Sequence, residues 1–246
     1  MLNTLTMQAR GNSLPSTVKL HMRMDERSGL YITDQVSRAQ YNPSSVGAGG
    51  SLSFATANAV GITNNSDLLL TPALWNITLQ TNKVCLLAAC IKQLAGTGTR
   101  VAIGAAGETN VLTVSSIGAN GLHGYFTNTD QTDGAQIAPI AGYAFSNTSS
   151  PFIHYALWDG VNTFTVKVID LNGAVHNNGT NNLLRTTTAT FTASSITLGQ
   201  GARLTNGYYY GMTCWELDHV PRSIDYKLAG WGNSLINGYK GAIELV

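Results

Sequence analysis

Phe152-Ile-His-Tyr-Ala-Leu-Trp158, followed by Asp159-Gly160 and then Thr163-Phe-Thr-Val-Lys-Val-Ile169, reads as two strands and the turn between them. Asp-Gly supplies the positive φ that a two-residue type I′ hairpin turn needs. A second turn of the same chemistry follows at Leu171-Asn-Gly-Ala174. Two such turns so close together set a strand–turn–strand rhythm, and the rest of the chain keeps it.

Working toward the N-terminus, Val18, Leu20, Met22 and Met24 alternate with Lys19, His21 and Arg23. That period of two is a half-buried strand. Leu30–Asp34 is a short strand, 41–51 a Gly/Ser loop, and 51–55 alternates again. Residues 68–75 are ambiguous, because Pro72 breaks a long helix or a central strand. The most apolar run, 81–92, is short and bounded by polar turns, which favours a sandwich-core strand. Further strands are expected at 99–103, 111–116, 122–126, 187–192, 195–199 and 207–217. Spacings of roughly 8–12 residues between turn signals are the all-β signature.

One helix is predicted. Across Pro221–Trp231, Ile224, Leu228 and Trp231 fall at i, i+4 and i+7, and Gly230 and Gly232 are expected to close it. Residues 1–17 are polar, contain Gly11 and Pro15, and read as an extended arm. Residues 18–246 then form one domain, since β-sandwiches of roughly 200–250 residues are common single units.

Composition narrows the function. Only 11% of the 246 residues are charged, 26 are Gly, and the formal net charge is +1. With no Lys/Arg-rich run, nucleic-acid binding has little electrostatic support. No apolar stretch reaches the roughly 18–20 residues of a membrane helix, so membrane insertion is not expected. The N-terminus lacks a signal peptide's apolar core, so synthesis in a cytosol is expected. Few charges and a net charge near zero leave little repulsion between copies, and a homo-oligomer is expected. Cys85, Cys90 and Cys214 are an odd number without a CxxC pair, and read as buried reduced thiols. Five residues apart, Cys85 and Cys90 would face opposite sides of one strand.

The order of elements resembles the laminin-G-like and concanavalin A-like jelly rolls. Leu20–Asp34 looks like their opening strand, acidic turn and Ser-Gly. Residues 152–173 look like their adjacent strand pair. Ile196–Gly199 and Gly211–Ile224 look like their closing passage, and Lys227–Gly232 fits its end. The resemblance covers about half the chain and leaves 56–150 poorly matched. It implies an all-β, two-sheet antiparallel jelly-roll sandwich with one short C-terminal helix. It implies little about function, because the fold hosts lectins, adhesion modules, glycosidases and viral coat parts.

Candidate sites follow. Glu216 and Asp218 invite a glycosidase reading, since period two puts them on one face of a strand. The third position of the Glu-x-Asp-x-Glu pattern of such enzymes is Val220, however, so the second catalytic carboxylate is missing. No enzyme is expected. Asp34, Asp159 and Asp170 are calcium candidates, because laminin-G-like modules often hold calcium in loops at one sandwich edge. Otherwise no cofactor is expected. His21, His123, His154, His176 and His219 are dispersed and form no zinc pattern. Trp75, Tyr143 and Trp158 lie near turns, and alternation in Tyr208-Tyr-Tyr210 should send at least one ring outward. These five, Trp75, Tyr143, Trp158, Tyr208 and Tyr210, are the candidates for stacking on a glycan or anchoring an interface.

The leading expectation is a non-enzymatic structural protein of a virion, such as a bacteriophage capsid-decoration or tail-associated protein. Its partners would be copies of itself and other virion proteins. The alternative is a lectin-like receptor-recognition module that binds a cell-surface glycan. The second alternative is a divergent glycoside hydrolase.

Overall fold

In the computed structural model, Phe164, Val166 and Val168 are buried and Thr163, Thr165 and Lys167 half-exposed, so the strand they share alternates as a sheet strand should. Its neighbour, 152–158, is buried at every position. A strand buried on both faces must have a layer above and a layer below, and the chain supplies both.

The structure describes residues 17–24, 32–38, 40–41, 44–46, 51–53, 58–63, 67–70, 77–80, 82–95, 98–103, 111–117, 121–127, 150–182, 190–193, 196–198 and 206–238. The expected arm at 1–17 and tail at 238–246 lie outside these residues except at Thr17 and Gly238. In chain order the strands are β1 (Val18–Arg23), β2 (Ile32–Thr33), β3 (Gln40–Tyr41), β4 (Ser44–Val46), β5 (Ser51–Ser53), β6 (Val60–Thr63), β7 (Asp67–Leu70), β8 (Ile77–Gln80) and β9 (Val84–Ala95). There follow β10 (Gly98–Ile103), β11 (Val111–Ile117), β12 (Gly121–Thr127), β13 (Phe152–Trp158), β14 (Thr163–Ile169), β15 (Val175–Asn182), β16 (Thr190–Ala193), β17 (Ile196–Leu198), β18 (Asn206–Leu217) and the helix α1 (Ile224–Ile236).

The fold is a two-sheet antiparallel jelly-roll sandwich. One sheet runs β15-β14-β13-β9-β18-β6-β5, with β1 also paired to β18. The other runs β12-β11-β10-β17-β7-β4. The core between them takes Leu20, Met22, Leu87, Ala89, Trp158, Phe164, Val166 and Met212 from the first sheet, with Ile103 and Ile196 from the second. A second apolar layer covers the outer face of the first sheet. There Leu86, Ala88, Ile153, Tyr155 and Trp215 pack under Ile224, Leu228, Trp231 and Leu235 of α1. Cys85 joins the first layer and Cys90 the second, as their spacing requires. All three cysteines are buried and none forms a disulfide.

The helix runs longer than the sequence suggests. Gly230 and Gly232 lie inside it, and the chain reaches Ile236 before it turns. At Gly232 a Cβ would come within 2.6 Å of Ile153 Cδ1, so a glycine is what lets the helix lie this close to the sheet.

The turns also differ from expectation. Neither is a two-residue type I′ hairpin. Asp159 donates its N–H to the Thr163 carbonyl at 3.0 Å, and Asp159 Oδ1 accepts from Val161, Asn162 and Thr163 N–H at 2.8–2.9 Å. Asp170 repeats the device, with Asp170 N–H donating to the Ala174 carbonyl and Oδ1 accepting from Asn172 and Ala174 N–H. Gly160 and Gly173, each at φ +84°, provide the left-handed step. A side chain that caps its own loop replaces the tight turn.

Candidate functional site

Three of the five aromatic candidates, Trp158, Tyr208 and Tyr210, lie among the described residues. Trp158 is 1% exposed and faces the core between the sheets, so it offers no ring to a ligand. Tyr210 is 8% exposed and Tyr208 half-buried, both against the layer under α1, while Tyr209 is fully buried on the other side. Alternation was expected to send at least one ring outward. Tyr208 and Tyr210 do share the outer face of the sheet, where Tyr208 keeps partial exposure and Tyr210 is buried in the layer that includes α1. Trp75 and Tyr143 lie outside the described residues.

The carboxylates are engaged in separate turns. Asp34 is fully buried. Its Oδ1 accepts from the N–H groups of His21 and Val36 at 3.0 Å, and its Oδ2 from Ser37 N–H at 3.1 Å and Ser37 Oγ at 2.6 Å. This carboxylate ties the loop after β2 to β1. Asp159 and Asp170 cap the loops described above. Partial burial raises the Asp159 carboxyl pKa, but the N–H groups it accepts from outweigh that and hold it below the usual range. Asp170 is also lowered: desolvation raises it, but the Ala174 and Asn172 N–H donors and His176, with Nε2 3.3 Å from Oδ2, together outweigh that. The three acids are not brought together. Among the described residues no three His, Cys, Asp or Glu side chains are grouped to hold a metal ion.

Glu216 and Asp218 are each committed to a lysine. Glu216 Oε1 lies 3.3 Å from Lys19 Nζ, and Oε2 accepts the Gln80 N–H at 2.7 Å. β18 ends at Leu217, so Asp218 has left the sheet and pairs with Lys83 at the surface. That hydrogen bond lowers the Asp218 pKa and raises that of Lys83. The histidines remain scattered. His21 and His154 are buried, His176 pairs with Asp170, and His219 is exposed. His123 lies on β12, where its side chain is not described.

One corner of the surface has the makings of a binding site. Tyr226, in the first turn of α1, is 74% exposed. Gly173 lies directly on its backbone, where a Cβ would stand 3.2 Å from Tyr226 Cα. The same loop is pinned to the helix by Asn233, whose Nδ2 donates to the Leu171 carbonyl at 2.7 Å. Asp170 and exposed Asn172 belong to this loop, and Asp170 pairs with His176 at the start of β15. Behind them, Asp225 accepts from Tyr155 Oη at 2.5 Å and from Lys167 Nζ at 3.0 Å, and Lys167 stands 5.8 Å over the Tyr155 ring. The arrangement sets an exposed tyrosine on a helix whose first turn packs on the capped loop at Gly173. Such a ring can stack on an apolar ligand face while its neighbours exchange hydrogen bonds. Tyr226 falls off the Ile224–Leu228–Trp231 stripe, so helical periodicity alone could have placed it in solvent.

Among the described residues, no helix is long and apolar enough to cross a membrane.

Solved structures of similar backbone are binding domains of botulinum neurotoxins. The binding domain of botulinum neurotoxin DC in complex with SialylT gives a TM-score of 0.55 at 13% identity, over 89% of this chain and 52% of that one. The binding domain of serotype C1 gives 0.56 at 14%, over 89% and 52%. A type C structure, whose toxin's entry into cells is described as dependent on interaction with two ganglioside molecules, gives 0.54 at 13%, over 89% and 51%. At such identities the likeness establishes the fold alone, a β-sandwich. This chain spans about half the length of those structures. No family model and no curated protein sequence matches it.

Proposed function

We propose that this chain is a glycan-binding recognition module that works without catalysing a reaction. One observation carries the reading. Over 89% of its length the backbone follows binding domains, one of them in complex with SialylT. The corner around Tyr226 supplies chemistry that fits a sugar. The ring stacks on the C–H face of a pyranose, and Asn172 with the Asp170–His176 pair meets its hydroxyls. The laminin-G/concanavalin A-like assignment, which rests on the order of short motifs, belongs to this reading.

The virion reading concerns where such a module would sit. Its support is compositional: 11% charged residues and a polar segment at 1–17. A glycan reader carried on a phage capsid or tail would satisfy both, with other virion proteins as partners. The glycoside-hydrolase alternative draws no support from Glu216 and Asp218, which hold different lysines and leave no free carboxylate pair across a common space.

The test is a broad glycan array probed with the chain and with Tyr226→Ala. Binding of a defined sugar set, weakened by about tenfold or more in the variant with its melting temperature unchanged, is the expected result. Failure of the native chain to bind any glycan at high micromolar concentration would overturn the proposal.

A further inference from the structure

The exposed positions of α1 and its C-cap are Tyr226, Gly230, Asn233 and Asn237. They fall at i, i+4, i+7 and i+11, which sets them in one stripe along the outer side of the helix. At about 1.5 Å per residue the stripe runs roughly 16 Å. The outer stripe of a surface helix ordinarily carries charged and polar residues. This one carries no charge: it is a ring, a bare piece of backbone and two amides.

A glycine inside a helix weakens it, because its backbone loses more freedom on folding. Gly232 has a packing reason, since a Cβ there would strike Ile153. Gly230 has none, since a Cβ there would meet no atom within 4 Å. Local rules broken without a packing gain are expected at functional positions. What Gly230 provides is space. A side chain at 230 would lean toward the N-terminal end of the helix, over the turn that Tyr226 begins. With glycine there, the helix surface on the C-terminal side of Tyr226 stays bare. The two amides beyond it are fixed by the bonds they donate. Asn233 Nδ2 donates to the Leu171 and Ala229 carbonyls at 2.7 and 3.1 Å, and Asn237 Nδ2 to the Asn233 carbonyl at 2.9 Å. With the nitrogens engaged, Oδ1 is the group each residue has left to offer, and it only accepts hydrogen bonds.

From this stripe we infer that the ligand is a neutral oligosaccharide lying along α1, with one sugar on the Tyr226 ring and the next over Gly230, beside the Asn233 and Asn237 amides. The inference rests on the glycan-binding function proposed above, and adds the ligand's class and direction. The stripe is longer than a single pyranose. It is bare where a second sugar must pass, and beyond that it presents acceptors to hydroxyl O–H donors. Charge selects a neutral chain. A carboxylate or sulfate taken out of water needs a cation beside it, and no position of the stripe holds one. Arg222 precedes the helix, and Lys227 stands on its half-buried flank. At the Tyr226 end, Lys167 is held by Asp225.

The test is an array of neutral mono-, di-, tri- and tetrasaccharides of glucose, galactose, mannose and N-acetylglucosamine, with sialylated and sulfated glycans beside them. The neutral trisaccharide that binds best is then titrated against its own monosaccharide. The native chain should bind the trisaccharide about tenfold or more tighter. In Gly230→Leu the new side chain should pack on Tyr226 from i+4 and raise the melting temperature. It should nevertheless weaken the trisaccharide by about tenfold or more. Asn237→Ala should weaken the trisaccharide and spare the monosaccharide. Native trisaccharide affinity in Gly230→Leu, with binding lost in Tyr226→Ala, would overturn the inference and leave the glycan-binding function standing. Equal affinity for monosaccharide and trisaccharide, or a preference for the acidic glycans, would do the same. Binding of no glycan at all would overturn both.

Discussion

Tyr155 Oη, rising from the outer face of β13, donates to Asp225 Oδ1 at 2.5 Å in the first turn of α1. This is where the helix is tied to the sheet at its N-terminal end. Ser223, at the N-cap, makes no side-chain cap hydrogen bond, so the fixing of this turn falls to Tyr155, Lys167 and the apolar face below. Removing the hydroxyl with Tyr155→Phe deletes a hydrogen bond to a charged acceptor and leaves the ring in place. The expected loss is about 2 kcal/mol of unfolding free energy in urea at neutral pH. A double cycle with Asp225→Asn should show coupling of about 1 kcal/mol or more. Additivity of the two changes would refute the tie.

How far the sequence reveals this architecture depends on the face involved. β1 and the β13–β14 pair were legible because apolar residues repeat along them and turns bound them. β15 was not. Val175–Asn182 has one aliphatic residue and no alternation, and its place comes from the ladder it makes with β14. The helix start was legible and its end was not, because glycine is read as a stop while Gly232 is a point of close contact. Among the sites, the burial of Tyr210 was not legible, for a single reason. Alternation gives two faces but cannot say that a helix 14 residues further on will cover the second.

Gly230 and Gly232 separate helix propensity from packing within one turn. A Cβ at Gly230 would meet nothing within 4 Å, and the residue is exposed. Gly230→Ala should therefore stabilise the protein by about 0.5–1 kcal/mol, since alanine loses less backbone entropy on folding. Gly232→Ala gains the same propensity but drives its methyl into Ile153 Cδ1 at 2.6 Å and Leu171 Cδ2 at 2.9 Å. Overpacking costs about 1–3 kcal/mol, so the net change should be destabilising. Thermal melts of the two variants should move in opposite directions. A rise in both would mean that the helix can lift from the sheet at little cost.

Asp34 should be among the costliest polar positions to lose. Its carboxylate accepts from three backbone N–H groups and one hydroxyl while fully buried. Asp34→Ala leaves those donors without the acceptor that holds them, at a cost of about 3 kcal/mol. Asp34→Asn keeps one acceptor oxygen and should fall between. Hydrogen exchange at His21 and Val36 is the local readout, and native protection there in Asp34→Ala would contradict this role.

His154 makes stability depend on pH. It is fully buried on β13, and desolvation lowers its pKa from 6.5 to about 3. The folded state therefore holds the ring neutral where the unfolded chain protonates it. Below pH 6.5 the unfolded state binds one more proton at this residue than the native state, so protonation favours unfolding. The stability is fully present above pH 6.5 and is lost as pH falls toward 3, at up to about 1.4 kcal/mol per pH unit. Carboxylates also titrate in this window, and the comparison with His154→Gln isolates the histidine. Denaturant unfolding at pH 7, 6, 5 and 4 should show a shallower decline in the variant, by close to one proton. Parallel curves would mean that the ring gains its proton in the native protein as readily as in the unfolded chain.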